Sequence, residues 1–263
     1  MDFTPLDVKS SYSLLKSPTR ISDLVTTAKE RGYKALALTD ENVLYGAVEF
    51  YNAAKKAGIK PIFGLRLVVA LNETDGTKLD LVFLAKNQRG YQHLMDLSTL
   101  QQTRKDKKAP LTVAQISPLL NELFIIIPPQ STVFSVLAQP TSILTELANL
   151  GDDDSVLLGV NSRLDDVQID TLQQLSKQLS LPLVGTSPVD YLNANDLFAS
   201  RVLQAIDAGV ELKDPTIEAE RRGQHYLHSK EQVIQDYKAK GLSAAAQKTV
   251  EVATLCNVEL QFR

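Results

Sequence analysis

Short apolar runs alternate with helical patterns along the first 190 or so residues of the chain. Residues around Pro5–Lys9 read as a first strand. Further runs are Ala35-Leu36-Ala37-Leu38, Pro61–Leu65, Leu79–Ala85, Leu123–Ile127, Val156–Val160 and Leu181–Gly185. None alternates strictly between apolar and polar, so each predicts a strand buried on both faces, as in a parallel sheet. Helical patterns lie between them. Ile21, Leu24, Val25 and Ala28 recur at helical spacing, with Ser22 or Thr19 available as a cap and Gly32 just past the end. Leu44, Ala47, Val48, Tyr51 and Ala54 mark a second helix closed by Gly58, and residues 88–102, 112–120, 133–150 and 166–180 continue the alternation. Roughly six or seven β-then-α units result, and right-handed crossovers fold such units into a parallel sheet. The length favours closure into a barrel. After residue 192 helices take over, at about 194–207, 229–238 and 241–256, with a charged connection over 209–224. No repeat or linker divides the chain. One domain over 1–263 is expected, with barrel units over 1–192 and a helical part over 193–263. The last residues, Gln261-Phe262-Arg263, read as a cut rather than a finish.

Composition narrows the choices. Of 263 residues 44% are hydrophobic and 22% charged, enough apolar side chain for a large core. A net charge of −3 excludes a basic nucleic-acid clamp. The single cysteine, Cys256, excludes a disulfide framework and a structural zinc finger, and reads as a small core residue. No run approaches the ~20 apolar residues of a membrane span. Met1-Asp2-Phe3-Thr4-Pro5 does not open a signal peptide, so no membrane and a cytoplasmic location are expected.

Parallel barrels do their chemistry at the C-terminal ends of the strands. Those ends present Asp7 and Lys9, Thr39-Asp40-Glu41, Gly64-Leu65-Arg66, Asn161-Ser162-Arg163 and Ser187-Pro188-Val189-Asp190, with Asp80 near the start of the fourth strand. A hydrolytic metal cluster needs several neutral imidazoles and carboxylates around each ion. Only three histidines are present, and none falls at a predicted strand end: His93 belongs to a helix, and His225 and His228 lie outside the barrel pattern. Arg104-Lys105-Asp106-Lys107-Lys108 and Arg221-Arg222 read as solvated loops, with phosphate contact as the other option.

Several blocks resemble one family closely. Tyr12-Ser13-Leu14-Leu15, Ala35-Leu36-Ala37-Leu38-Thr39-Asp40, Tyr45-Gly46-Ala47-Val48-Glu49-Phe50-Tyr51 and Ala57-Gly58-Ile59-Lys60-Pro61-Ile62-Phe63-Gly64 are similar to the polymerase-and-histidinol-phosphatase (PHP) domain that opens the alpha subunit of bacterial DNA polymerase III, DnaE type. Leu84–Tyr91, Leu181–Thr186 and Glu251–Leu260 extend the likeness over essentially the whole chain. The resemblance implies a distorted TIM-like (β/α)7 barrel with additional C-terminal helices. It also implies a parent protein that carries out DNA-directed DNA synthesis, with a polymerase body in the same full-length chain. Sliding clamp, other replisome proteins and primer-template DNA would be reached through that longer chain. Active relatives hold metal with His-x-His, Asp-His, Glu, further histidines including one at the start of the fourth strand, and a final Asp-x-His. Carried over by position, those places hold Asp7 and Lys9, Asp40 and Glu41, Arg66, Asp80, and Pro188-Val189-Asp190; Asp40 alone is unchanged. The expectation is a vestigial metal site with no cofactor and no catalytic residue, where Lys9 and Arg66 pair with some of Asp7, Asp40, Glu41, Asp80 and Asp190. Other readings are an active metal-dependent phosphoesterase or 3′–5′ exonuclease, an all-carboxylate magnesium site at Asp7, Glu41, Asp80 and Asp190, and a module binding primer-template DNA or a replisome protein.

Overall fold

The computed structural model describes residues 1–72, 78–106, 109–130, 140–152, 154–214 and 224–261. Among the described residues, seven strands form one sheet: β1 (Ala35–Leu38), β2 (Lys60–Ala70), β3 (Lys78–Ala85), β4 (Leu111–Thr112), β5 (Leu123–Ile127), β6 (Val156–Val160) and β7 (Leu183–Gly185). Their order is β1-β2-β3-β5-β6-β7, and β4 pairs with the far end of β2. The helices are α1 (Ile21–Glu30), α2 (Ala47–Ala57), α3 (Gln88–Gln102), α4 (Val113–Ile116), α5 (Pro140–Ala148), α6 (Asp166–Leu179), α7 (Leu197–Ala208), α8 (Lys230–Ala239) and α9 (Ser243–Leu255). Among the described residues, no helix is long and apolar enough to cross a membrane.

The sheet is not wholly parallel. β3 runs antiparallel to both β2 and β5, while β1–β2, β2–β4, β5–β6 and β6–β7 are parallel. Strands buried on both faces have no polar alternation to disclose their direction. The connection decides it: residues 71–77 are too few for a parallel crossover, which takes about a dozen or more.

The N-terminal segment closes the barrel. On one side Ala37 N donates to Pro5 O (3.0 Å) and Thr39 N to Val8 O (2.8 Å). On the other, Val189 N donates to Asp7 O and Lys9 N to Val189 O, both at 2.9 Å. Residues 5–9 thus join the β1 edge to the chain that leaves β7. Inside, Leu6, Ala35, Ala37, Ile62, Val82, Leu84, Phe124, Ile126, Leu157 and Val184 form a narrow lumen core. Val252, Ala253 and Cys256, at the end of α9, belong to the same cluster and stopper its lower end. A larger core lies between the strands' outer faces and the helices, including Ile21, Leu24, Val25 and Ala28 of α1. The cap expected for α1 is absent. The helix begins one residue after Arg20, so Thr19 precedes the capping position and Ser22 follows it, and Arg20 makes no capping side-chain bond.

Candidate site at the barrel mouth

β2 points Ile62, Gly64 and Arg66 inward; β3 points Asp80, Val82 and Leu84 inward. Arg66 pairs in register with Val82, and Asp80 with Val68, so Arg66 and Asp80 are diagonal neighbours on the lumen face. The reversed direction of β3 matters here. It brings that strand's beginning to the end of the barrel where β1 and β2 finish. Gly64 lets β2 press against its neighbours, since a Cβ there would lie 2.6 Å from both Phe83 O and Thr39 Cγ2.

Arg66 is the hub. It is 6% exposed, and its partner Asp7 is 2% exposed. Arg66 Nη1 donates to both oxygens of Asp7 at 2.7 Å. Nε donates to Asp80 Oδ1 at 3.0 Å, and Nη2 to Asp80 Oδ2. Burial works against the guanidinium charge, but Asp7 and Asp80 outweigh it and hold Arg66 protonated more firmly than usual.

A second group lies beside it. Lys9 Nζ donates to Asp190 Oδ1 at 2.8 Å, and His225 Nδ1 lies 2.8 Å from Asp190 Oδ2. Burial opposes ionisation of Asp190, yet Lys9 and His225 prevail and hold its carboxyl well below the usual range. Burial likewise opposes the Lys9 charge, and Asp190 lifts the Lys9 pKa above its ordinary value. Main-chain bonds reinforce the clasp, because Asp190 N and Tyr191 N both donate to His225 O, at 2.8 and 3.2 Å.

Among the described residues, Asp40 pairs with no cation. Its Oδ1 accepts from Ser10 N (2.7 Å) and Ser13 Oγ (2.6 Å), and its Oδ2 from Ser10 Oγ (2.7 Å). Burial raises its pKa despite these bonds. Ser13 Oγ also accepts from Glu41 N at 2.9 Å, so Asp40 organises the loop over residues 10–17. The main chain of 40–42 pairs with Arg66, through Arg66 N to Asp40 O (3.1 Å) and Asn42 N to Arg66 O (2.9 Å). Glu41 lines an outer groove, and among the described residues its carboxylate meets no cation.

Of the seven positions singled out, five therefore assemble into two ion-pair groups, while Asp40 and Glu41 do not join them. His225 joins the site although it lies outside the barrel pattern, which corrects the expectation for that histidine. Ser10 and Ser13 were also missed; they lie 30 and 27 residues from Asp40 in sequence, and only the fold brings them together. His93 sits apart, with Nδ1 2.9 Å from Asn121 O, and His228 stacks on Tyr226 with ring centres 3.8 Å apart. Cys256 lies in the lumen stopper, where burial pushes its thiol up to about 12. Arg104 bonds Gln115 Oε1 at 3.0 Å, whereas Lys107, Lys108, Arg221 and Arg222 lie outside the described residues.

These residues do not fit a hydrolytic metal cluster. Both oxygens of Asp7 face one guanidinium nitrogen, and Asp190 is shared between an ammonium and an imidazole. Among the described residues, no group of three or more His, Cys, Asp or Glu is placed to hold an ion.

The family model described as PHP domain matches residues 5–147. The DNA polymerase III subunit alpha of Halalkalibacterium halodurans is 33% identical over 267 residues, covering 99% of this chain and 23% of the relative. That of Bacillus subtilis is 31% identical over 270 residues, covering 100% of this chain and 24% of the relative. The chain thus spans about a quarter of the length of these relatives. Among solved structures, an amidohydrolase from Chromobacterium violaceum aligns with a TM-score of 0.49 at 13% identity, over 72% of this chain and 87% of that one.

Proposed function

Since the chain belongs to the PHP domain family, we propose that it is the N-terminal PHP domain of a DNA polymerase III alpha subunit and serves there as a scaffold, not as a hydrolase. The reading takes residues 1–263 as one domain. Template-directed synthesis, and engagement of the sliding clamp and primer-template DNA, belong to the rest of such a polypeptide. The site acts in this reading as an internal fastener. Of the vestigial positions Asp7, Lys9, Asp40, Glu41, Arg66, Asp80 and Asp190, two carry side-chain cations, Lys9 and Arg66, and these engage Asp7, Asp80 and Asp190 where active relatives carry metal.

One observation carries the proposal: the buried Arg66 guanidinium, forked between Asp7 and Asp80. Metal-bound hydroxide is the nucleophile that phosphoester hydrolysis at such a mouth would need. A buried arginine occupies the carboxylates that would bind the ion, and it does not deprotonate to make room. The barrel is gripped from side to side instead: Arg66 on β2 links Asp7 of the closing segment to Asp80 of β3 across the mouth, and Lys9 ties the same segment to Asp190 in the adjoining chain after β7.

Isothermal titration calorimetry with manganese and with zinc tests the reading. No heat of binding is expected from either. Stoichiometric binding, together with manganese-dependent release of phosphate or 3′ nucleotides that Asp40→Asn abolishes, would establish the phosphoesterase in its place.

A further inference from the structure

The groove beside the barrel mouth presents polar groups that the fastener does not use. It has a volume of about 800 Å³, and Glu41, Asn42, Tyr45 and Lys78 are among the residues that line it. That size suits one small molecule of nucleotide dimensions. Glu41 and Asn42 are half-buried, and Tyr45 is 66% exposed. Among the described residues, the Glu41 carboxylate, the Asn42 carboxamide and the Tyr45 hydroxyl meet no hydrogen-bond partner.

The backbone explains why two successive side chains share one groove. In an extended strand Glu41 and Asn42 would point to opposite sides. Asn42 has φ +66°, a left-handed conformation that asparagine tolerates better than most residues, and the alternation breaks there. Hydrogen bonds pin this turn. Asn42 N donates to Arg66 O at 2.9 Å, and Ser98 Oγ and Gln102 Nε2 donate to Asn42 O at 2.9 and 3.4 Å. Groups whose main chain is fixed in advance lose little freedom on binding.

This set of groups selects one chemistry. A carboxylate offers two acceptor oxygens side by side, and a carboxamide adds an N–H donor next to them. Among nucleobases, guanine alone presents two adjacent donors, N1–H and N2–H, followed by an acceptor, O6. Adenine would turn its N1 lone pair towards the carboxylate, and cytosine and thymine offer it a single donor each. The Tyr45 ring supplies the stacking face that an unpaired base uses. Lys78 supplies a cation for one phosphate. A run of phosphodiesters is not favoured, because Glu41 and Asp207 balance Lys16 and Lys78, and Lys16 Nζ already lies 2.6 Å from Asp207 Oδ2.

We propose that the groove holds a single guanine base carrying a 5′-phosphate. The base stacks on Tyr45, its N1–H and N2–H donate to Glu41, its O6 accepts from Asn42, and its phosphate lies beside Lys78. Glu41 stands at a vestigial position that the ion pairs leave unused, so the site adds a ligand without reopening hydrolysis. It stands on its own side chains, whether or not the domain is a scaffold.

The test photolabels the full-length protein with 8-azidoguanosine 5′-monophosphate, whose azide leaves the N1, N2 and O6 edge free. Peptide mass spectrometry is expected to place the adduct in the groove, at Tyr45 or its neighbours. Unlabelled guanosine monophosphate is expected to suppress it about tenfold better than the adenine, cytosine or uracil nucleotides. Glu41→Gln puts an N–H where an acceptor is needed and is expected to weaken that competition by about tenfold or more. Tyr45→Ala is expected to weaken it by about tenfold. Asn42→Gly keeps the left-handed backbone, removes only the carboxamide, and is expected to cost about fivefold. Val167→Lys, on an exposed residue of α6 outside the groove, is expected to change nothing. A single-stranded DNA pentamer with one guanine separates the two sources of the base. Better competition than guanosine monophosphate assigns the site to a strand, and equal or weaker competition assigns it to a free nucleotide. Equal competition by all four nucleotides, an adduct only outside the groove, or no adduct would overturn the proposal.

Discussion

Arg66→Ala is the most direct probe of the fastener. The truncation removes every donor that the structure gives Asp7 from this guanidinium, both at 2.7 Å, and leaves that carboxylate buried. Asp80 also loses donors, but 27% of its side chain is exposed and water can replace them. The cost therefore falls mainly on Asp7. Removing one partner of a buried pair destabilises by about 3–5 kcal/mol, whereas an exposed pair is worth roughly 0–1 kcal/mol. We take about 4 kcal/mol for the whole change. In a chain of this size each kcal/mol lowers Tm by roughly 2–4 °C, so a drop of about 8–16 °C is expected. Differential scanning calorimetry at neutral pH measures it. Moderate salt should not close the gap, because screening acts weakly on buried charges. Arg66→Lys should fall between, since a single ammonium cannot span Asp7 and Asp80 at once. Replacing Asp7 and Arg66 together by Leu and Met should recover most of the loss. A Tm for Arg66→Ala within about 2 °C of wild type would refute the argument, because it would mean that Asp7 does not depend on this guanidinium.

The remaining predictions concern acid stability, the serine network and packing. Asp190 is depressed in the folded state, so its contribution is complete above the unfolded value near about 4 and is lost as pH falls below it. Urea titrations of Asp190→Asn should thus show the largest deficit at neutral pH and converge with wild type in acid. Asp40→Ala strips the acceptors from Ser10 and Ser13 and should cost about 2–4 kcal/mol, while Asp40→Asn, which keeps one oxygen acceptor, should cost about 1 kcal/mol. Gly90→Ala would place Cβ 2.2 Å from Glu122 O, and the clash of about 1–3 kcal/mol should exceed the ~1 kcal/mol that alanine gains in a helix. Chemical denaturation of each variant gives these differences.

The apolar runs disclosed where strands form because they are short, bounded and buried on both faces. Leu123–Ile127 and Val156–Val160 match the observed β5 and β6 to the residue. Direction and length were less visible. β2 extends to Ala70, well past the apolar run read at 61–65, and inward-facing Arg66 interrupts the hydrophobic pattern because it has a charged partner in the next strand. At the mouth, the charges at Asp7, Lys9, Arg66, Asp80 and Asp190 stood out as polar residues at the ends of apolar runs. Which carboxylate meets which cation depends on register and strand direction, and these arise from the assembled sheet. His225 was hidden for the same reason. It reaches Asp190 through main-chain pairing of residues 190–191 with 225–226, across more than 30 positions of sequence. Asp40 looked like one more charged partner, but two serine hydroxyls nearby in space satisfy it.

The stopper formed by α9 has a consequence for how the molecule is made. Thr4 N donates to Thr249 Oγ1 at 2.9 Å, and Leu6 shares the lumen with Val252, Ala253 and Cys256. The residues that close the barrel seam thus find their last neighbours only after some 245 further residues have been translated, which takes roughly 10–50 s at bacterial or eukaryotic rates. Throughout that interval the nascent chain has an unsealed, water-accessible interior, and it is in this window that chaperones would engage it.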